Sequence, residues 1–187
     1  MKQLFLLIGL VTMVSIASAQ ESKIMAGGGL TYATDIDNIG INIKGLYMIN
    51  ETWEADGGFT YFFEKNNMNY SALDFNGHYV FMNNEGTCLY GLAGINITFY
   101  KFDYGNAVSS AYNEYVDEYS EYAEYIGYEG YSPLGLTGES KGSEFGFNIG
   151  AGGRMPISDA LFLTGEVKYT LGDLDYFSIN AGIMYQF

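Results

Sequence analysis

The strongest constraint on this chain is a series of segments in which apolar and polar residues alternate one by one. Successive side chains of a β-strand point to opposite faces, so a period of two indicates a strand with one apolar face. In the C-terminal segment the apolar face would hold Phe177, Ile179, Ala181, Ile183, Tyr185 and Phe187. The other face would hold Ser178, Asn180, Gly182, Met184 and Gln186. The pattern predicts strands whose two faces meet different environments.

The same alternation predicts eight strands along the chain. They are expected near 23–33, 39–49, 53–63, 69–82, 87–101, 143–157, 160–171 and 175–187. Each is long enough to cross a bilayer at a tilt, which takes about 9–11 residues. The links after strands two, four and six are short, and those after the others are longer, above all 102–142. This arrangement favours an all-β, eight-stranded antiparallel up-and-down transmembrane β-barrel.

A soluble β-sandwich or a lipocalin-like barrel is the alternative to a membrane barrel. Such folds also alternate, but their apolar face is the interior and their outside carries many charges. Here the polar face carries few charges of both signs, and the acids concentrate in the connections. A lipocalin would also contribute a helix and disulfides, whereas Cys88 is the single cysteine. The membrane barrel is therefore favoured.

The N-terminus reads as a secretory signal peptide over residues 1–19. Lys2 precedes an almost wholly apolar stretch at 4–16, and Ala17-Ser18-Ala19 offers a small-residue cleavage site. The barrel domain would then cover 20–187. Cleavage would move the formal net charge from −14 to −15, because Lys2 is the only charged residue removed. So acidic a protein is not expected to bind nucleic acid.

The last eight residues, NAGIMYQF, resemble the assembly signal of bacterial outer-membrane barrels. Asn180, Gly182, Tyr185 and Phe187 fill its polar, glycine, aromatic and terminal aromatic places. The chain thus resembles the small eight-stranded outer-membrane β-barrel family of OmpX and OmpA-membrane-domain type, common in Bacteroidota. The resemblance implies an outer-membrane location, contact with outer-membrane lipid and lipopolysaccharide, and insertion by the barrel-assembly machinery. It implies no chemistry, because such barrels include adhesins, anchors and lipid-modifying enzymes.

Charged side chains on the polar face are expected to form a structural network inside the barrel. They are Lys44, Glu54, Asp56, Asp74, His78, Glu144, Arg154, Glu166 and Lys168. An unpaired buried charge is costly, so these groups should pair. The expected neighbours are Lys44 diagonal to Asp56, His78 opposite Glu54, and Arg154 diagonal to Glu166. Eight strands enclose a space that side chains can fill, so a pore would be largely plugged.

The sequence gives little support for catalysis or metal binding. His78 is the only histidine, and a lipid A acyltransferase or deacylase would need a serine or an acid to work with it. Ser71 has the opposite parity, so a lumen histidine bonded to a carboxylate is the expectation. One histidine, one cysteine and scattered carboxylates lack the spacing of a zinc site, and DIDN lacks the rest of a calcium loop. We expect no enzyme, metal or cofactor.

The long connection contains YNEYVDEYSEYAEY, residues 112–125. Tyr112, Tyr115, Tyr119 and Tyr122 fall on one stripe at helical spacing, which predicts a short helix with an acidic opposite face. A solvated acidic loop is the alternative. We expect a monomeric, non-enzymatic barrel with a structural or adhesion-like role, whose tyrosine stripe contacts a surface polymer or host ligand. A narrow channel is the second interpretation, and a lipid A-modifying enzyme the third.

Overall fold

The computed structural model describes residues 23–103 and 139–187, which form eight strands. Their bounds are β1 Ile24–Ala33, β2 Asn38–Met48, β3 Trp53–Phe62, β4 Met68–Asn84, β5 Thr87–Asp103, β6 Glu139–Pro156, β7 Leu161–Gly172 and β8 Tyr176–Gln186. Each strand pairs antiparallel with the next, and β8 pairs with β1 to close the barrel. The predicted eight-stranded up-and-down barrel is confirmed. Within the described ranges, no helix is long and apolar enough to span a membrane.

The predicted strand limits differ most from the observed ones in the β5–β6 hairpin. β5 continues to Asp103 and β6 begins at Glu139, four residues earlier than expected, so the hairpin extends past the ends of its neighbours. The signal peptide expected at 1–19 lies outside the described residues, as does the tyrosine stripe with its predicted helix.

Short turns join the strands at the end of the barrel where β1 begins and β8 ends, which we call the terminus side. Between β2 and β3, the Asn50 side-chain oxygen accepts hydrogen bonds from the backbone N–H of Thr52 and Trp53, both at 2.9 Å. Asparagine forms such local turns readily. Between β4 and β5, Glu85 and Gly86 both have positive φ, at 50° and 83°. Two such residues match the tight turn preferred in hairpins, which Gly86 permits.

The barrel is apolar outside and polar inside. Outward side chains such as Leu30, Ile43 and Ile149 are 59%, 66% and 58% exposed. Soluble monomers rarely expose a continuous apolar surface of this kind. Inward side chains include buried Asp56, His78 and many other polar groups. The lipocalin-like alternative, which requires the reverse arrangement, is therefore wrong.

Apolar side chains close the interior at both ends. The terminus-side cluster consists of Met25, Leu46, Phe162 and Met184, with Met48 packed against it. The loop-side cluster consists of Ala33, Phe62, Ala72 and Tyr176, covered by Ile36, Tyr70 and Leu174. Most of the buried polar groups lie between these clusters, although the register places Glu54 opposite Met48 and Glu144 opposite Thr98, the partner of Ala72. The barrel thus has a mainly polar middle layer between two apolar clusters.

Candidate functional site

Lys44 is at the centre of the polar layer. Its Nζ lies 2.9 Å from Asp56 Oδ2 on β3 and 2.7 Å from Glu166 Oε2 on β7. Lys44 is opposite Gly58 in the register, so Asp56 is its diagonal neighbour, as expected. Tyr90 donates its hydroxyl to Glu166 at 3.1 Å, and Asn76 donates to Asp56 at 2.8 Å. Both carboxylates are thus held by a cation and a neutral donor.

Arg154 was expected diagonal to Glu166, and the register confirms this position, since Arg154 is opposite Thr164. The guanidinium instead crosses the lumen to Glu54 on β3, where Nη1 donates to Oε2 at 2.8 Å and Nη2 donates to Oε1. An arginine side chain is long enough to span so narrow an interior. The planar guanidinium also matches a carboxylate with two parallel bonds.

His78 lies between two carboxylates. It is opposite Glu54 in the register, as expected, but its Nδ1 is 3.5 Å from Glu54 Oε2. The nearer carboxylate is Asp56, whose Oδ2 lies 3.1 Å from Nε2. The imidazole also stacks on Tyr90, with ring centroids 4.2 Å apart and nearly parallel planes. The ring is fully buried, so it cannot reach a lipid outside the wall.

A second group of polar side chains lies nearer the loop end. Lys168 Nζ contacts Asp74 Oδ2 at 2.7 Å, and the other Asp74 oxygen accepts from Asn96 and Asn148, both at 2.8 Å. Asn148 also donates to Asn76 at 2.9 Å, which joins this group to the Lys44 group. Glu144 faces the same interior and is half-buried. We call the combined set of inward charges and amides the lumen network.

The lumen network contains a triad with metal-ligand chemistry. Ligand atoms of Asp56, His78 and Glu166 all lie within 4.8 Å of one another. The Lys44 ammonium, however, contacts both carboxylates of the triad. It supplies the positive charge that a metal ion would otherwise bring. The geometry therefore describes an internal ion-pair cluster, and the chemistry of the donor set requires no metal.

The two apolar end clusters were missed in the sequence. Met25, Leu46 and Phe62 have inward parity, which the alternation pattern associates with polar side chains. Large apolar residues at inward positions near the strand ends are the sequence feature that could have predicted these clusters.

Beside Lys44 a cavity of about 20 Å³ remains, lined in part by Asn42, Thr164 and Asn180. That is room for about one water molecule.

The four residues of the predicted assembly signal divide between the two faces of β8. Asn180 and Gly182 face inward, and Asn180 Oδ1 accepts a 2.6 Å bond from Thr31 on β1. A side chain at Gly182 would bring Cβ to 2.6 Å from the Gly28 carbonyl oxygen. Tyr185 and Phe187 face outward and pack edge to face, with centroids 5.2 Å apart. The polar half of the signal thus contacts the closing seam.

Hydrogen bonds also connect the loops at the end opposite the termini. Lys65, between β3 and β4, contacts Asp37, between β1 and β2, at 2.5 Å, and Tyr32 donates to Asp37 at 3.0 Å. The hydrogen bond from Lys65, together with that from Tyr32, lowers the pKa of Asp37 below its ordinary value. Asp35 accepts from the backbone N–H of Phe177 at 3.4 Å. Two connections therefore touch at the rim, and the β1–β2 connection also contacts the start of β8.

Residues 4–187 match the family described as outer membrane protein beta-barrel domain. The chain belongs to this family. An outer-membrane β-barrel accounts for the apolar outer wall, the polar interior and the terminal aromatic residues, and it places the protein in the cell outer membrane. No curated protein matches the chain.

Solved structures similar to this outer-membrane barrel share its fold at low sequence identity. Ail, the attachment invasion locus protein of Yersinia pestis, is 20% identical with a TM-score of 0.54, covering 88% of this chain and 96% of that one. The N-terminal barrel of Pseudomonas aeruginosa OprF is 10% identical with a TM-score of 0.59, covering 90% and 100%. Neisserial surface protein A is 12% identical with a TM-score of 0.58, covering 88% and 96%. Similarity at this level concerns the fold alone.

Proposed function

We propose that this outer-membrane barrel is a non-enzymatic surface-interaction protein whose activity resides in the long connection between β5 and β6. The observation that supports this most is the filled interior. Each cation of the lumen network, Lys44, Arg154 and Lys168, forms an ion pair, and an apolar cluster covers the network at each end. A barrel filled in this way serves as a scaffold, and binding residues are commonly carried on loops of a rigid scaffold.

The proposed orientation puts both termini in the periplasm and the four longer connections outside the cell. Short turns at the terminus side and longer loops at the other side are the usual arrangement of outer-membrane barrels. The tyrosine-rich stretch 112–125 would then face the medium. Tyrosine supplies rigid contacts that are both apolar and hydrogen-bonding, which is why recognition loops favour it.

The position of His78, the single histidine, supports a non-enzymatic role. His78 is fully buried and held by Asp56, and its ring is covered by Tyr90. A histidine in this position has no path to a lipid acyl chain.

Ail, which shares the fold, is by its name an attachment protein, and it has been solved with the heparin analogue sucrose octasulfate. Attachment by this chain is part of the proposal, with a surface polymer or host ligand as partner.

The proposal is tested by exchanging the loop. In one variant a short turn replaces residues 104–138; in a second, Tyr112, Tyr115, Tyr119 and Tyr122 become serine. A matched control makes the same serine substitution at the four other tyrosines of the segment, Tyr104, Tyr125, Tyr128 and Tyr131. Cells or proteoliposomes carrying each form are assayed for adhesion to immobilised surface polysaccharides and host-matrix proteins.

We expect the turn variant to keep a folded, heat-modifiable barrel and to lose adhesion. The stripe variant should also lose adhesion, and the control should retain most of it. Equal adhesion by all four forms would contradict a role for the loop. Failure of the turn variant to fold would instead show that the loop is a structural part of the barrel.

A further inference from the structure

The lumen network contains fewer cations than carboxylates. Three cations form its ion pairs with four carboxylates: Arg154 with Glu54, Lys168 with Asp74, and Lys44 with both Asp56 and Glu166. Three positive charges against four negative ones leave this set with a formal charge of −1. Glu144 is outside the set, half-buried and nearer the loop end. An uncompensated charge in a buried layer is costly, so the set needs a fourth cation.

His78 lies where a fourth cation would be placed. Its Nε2 is 3.1 Å from Asp56 Oδ2, and its Nδ1 is 3.5 Å from Glu54 Oε2. A neutral imidazole carries a proton on one nitrogen only, and the other nitrogen has a lone pair. In either neutral form a lone pair would therefore face a carboxylate oxygen. The imidazolium form presents an N–H to each of the two carboxylates.

The Nδ1 atom of His78 gives a second reason for a charged ring. Among the described residues, it is the only buried side-chain nitrogen or oxygen without a hydrogen-bond partner. A buried polar atom without a partner is costly. A protonated Nδ1 is still attracted by the Glu54 carboxylate at 3.5 Å, whereas a lone pair at this atom would be repelled. The position of Nδ1 thus also favours the protonated ring.

The groups from the other strands surround the ring with a balance that favours a cation. Tyr90 on β5 stacks on the imidazole, and the face of an aromatic ring attracts a cation. Glu166 on β7 has a carboxylate oxygen within 4.8 Å of the imidazole. Lys44 on β2 and Arg154 on β6 repel a further positive charge, but each is already bound to a carboxylate.

We propose that His78 is the fourth cation of the lumen network, so that the folded barrel holds a proton that the unfolded chain loses above pH 7. An unfolded histidine has an ordinary pKa of about 6.5 and is mostly neutral above that pH. Because the folded state then binds one more proton than the unfolded state, raising the pH lowers the free energy of unfolding. The stabilisation is complete below about pH 6.5 and declines as the pH rises. Barrel stability thus depends on one buried proton, independently of what the long loop binds.

The charge of the ring is tested by NMR on the full mature protein in detergent micelles, with isotope-labelled histidine. His78 is the single histidine, so protein without a histidine tag gives one set of imidazole nitrogen signals. At about pH 7.5 we expect both ring nitrogens to carry a proton, although a free histidine is mostly neutral at that pH. A ring with only one protonated nitrogen would overturn the proposal and indicate that a carboxyl group holds the proton instead.

Two variants test whether the charge balance holds the proton. D56N removes the carboxylate nearest to the ring and leaves equal numbers of cations and carboxylates, so its imidazole should be neutral. The control E144Q removes an interior-facing carboxylate that is opposite Thr98, whereas His78 is opposite Leu92. Its imidazole should stay charged. Heat-modifiable migration verifies that each form is folded. A ring that stays protonated in D56N, or loses its proton in E144Q, would contradict the proposal.

Reversible urea unfolding provides a measurement of the proton uptake itself. Between pH 7 and pH 8, the folding equilibrium constant of the wild type should fall by about eightfold relative to that of D56N. The double variant H78Q/D56N, which also balances its charges, should behave like D56N. Comparison between forms cancels the titration of groups that all of them share, such as Cys88. An equal pH dependence in the wild type and both variants would overturn the proposal.

Discussion

Replacing Arg154 with methionine tests whether the barrel interior is dry and filled. Arg154 and Glu54 are 7% and 3% exposed, and they form a two-bond ion pair across the lumen. Removing one partner of a buried pair leaves an uncompensated charge, which costs about 3–5 kcal/mol. If bulk water filled the lumen, the same pair would contribute only about 0–1 kcal/mol. The size of the loss therefore separates a filled scaffold from an aqueous channel.

The assay is reversible urea unfolding of the protein in detergent micelles. Trp53 is the single tryptophan, is half-exposed on the outer wall and stacks edge to face on Tyr79, so its fluorescence reports unfolding. The double variant E54M/R154M should lose less stability than R154M, because no unpaired carboxylate remains. The control K65M removes the exposed contact to Asp37 and should leave the midpoint unchanged. A loss below about 1 kcal/mol for R154M would refute the filled interior.

Three further outcomes follow from the structure. Deleting Phe187, whose backbone N–H donates to Ile24 at 3.2 Å, should lower the amount of inserted barrel in the outer membrane while export continues; unchanged amounts across expression levels would count against the assembly signal. The K65Q variant should raise the pKa of Asp37 towards its ordinary value, because Lys65 is the main group that lowers it. A carbon-detected NMR titration that shows the same Asp37 pKa in both forms would reject the contact. The G94A variant should lose about 1–3 kcal/mol of unfolding free energy, because the new Cβ would lie 2.2 Å from the Phe75 backbone oxygen. The G165A variant should lose little, because no atom lies within 4 Å of its new Cβ; equal losses for the two variants would contradict the packing.

The strands could be predicted because the membrane imposes a strict alternation. Lipid on one side and a packed interior on the other leave each residue of β8 or β3 with one of two environments. The alternation ends where the β5–β6 hairpin extends beyond the apolar wall, so the sequence pattern begins β6 at 143, four residues after its observed start at Glu139. Residues 139–142, ESKG, contain no apolar side chain, so the strand continues there without the alternation that marks the rest of it.

Contacts across the lumen could not be predicted from the sequence. Turn lengths determine which residues are opposite or diagonal on adjacent strands, and this gave Lys44 with Asp56. Arg154 and Glu54 lie on β6 and β3, and Lys44 and Glu166 lie on β2 and β7. Such pairs depend on the diameter of the barrel and on the reach of long side chains. The pairing of adjacent strands determines neither the barrel diameter nor the reach of these side chains.

The most direct test of a sealed scaffold is single-channel recording in planar lipid bilayers. It should be performed on the full mature protein and on the variant whose residues 104–138 are replaced by a short turn, so that the loop cannot act as the seal. The terminus-side and loop-side clusters cover the lumen network at both ends, so neither form is expected to show conductance steps. Discrete ion-conducting steps from either form, and above all from the shortened one, would contradict the account.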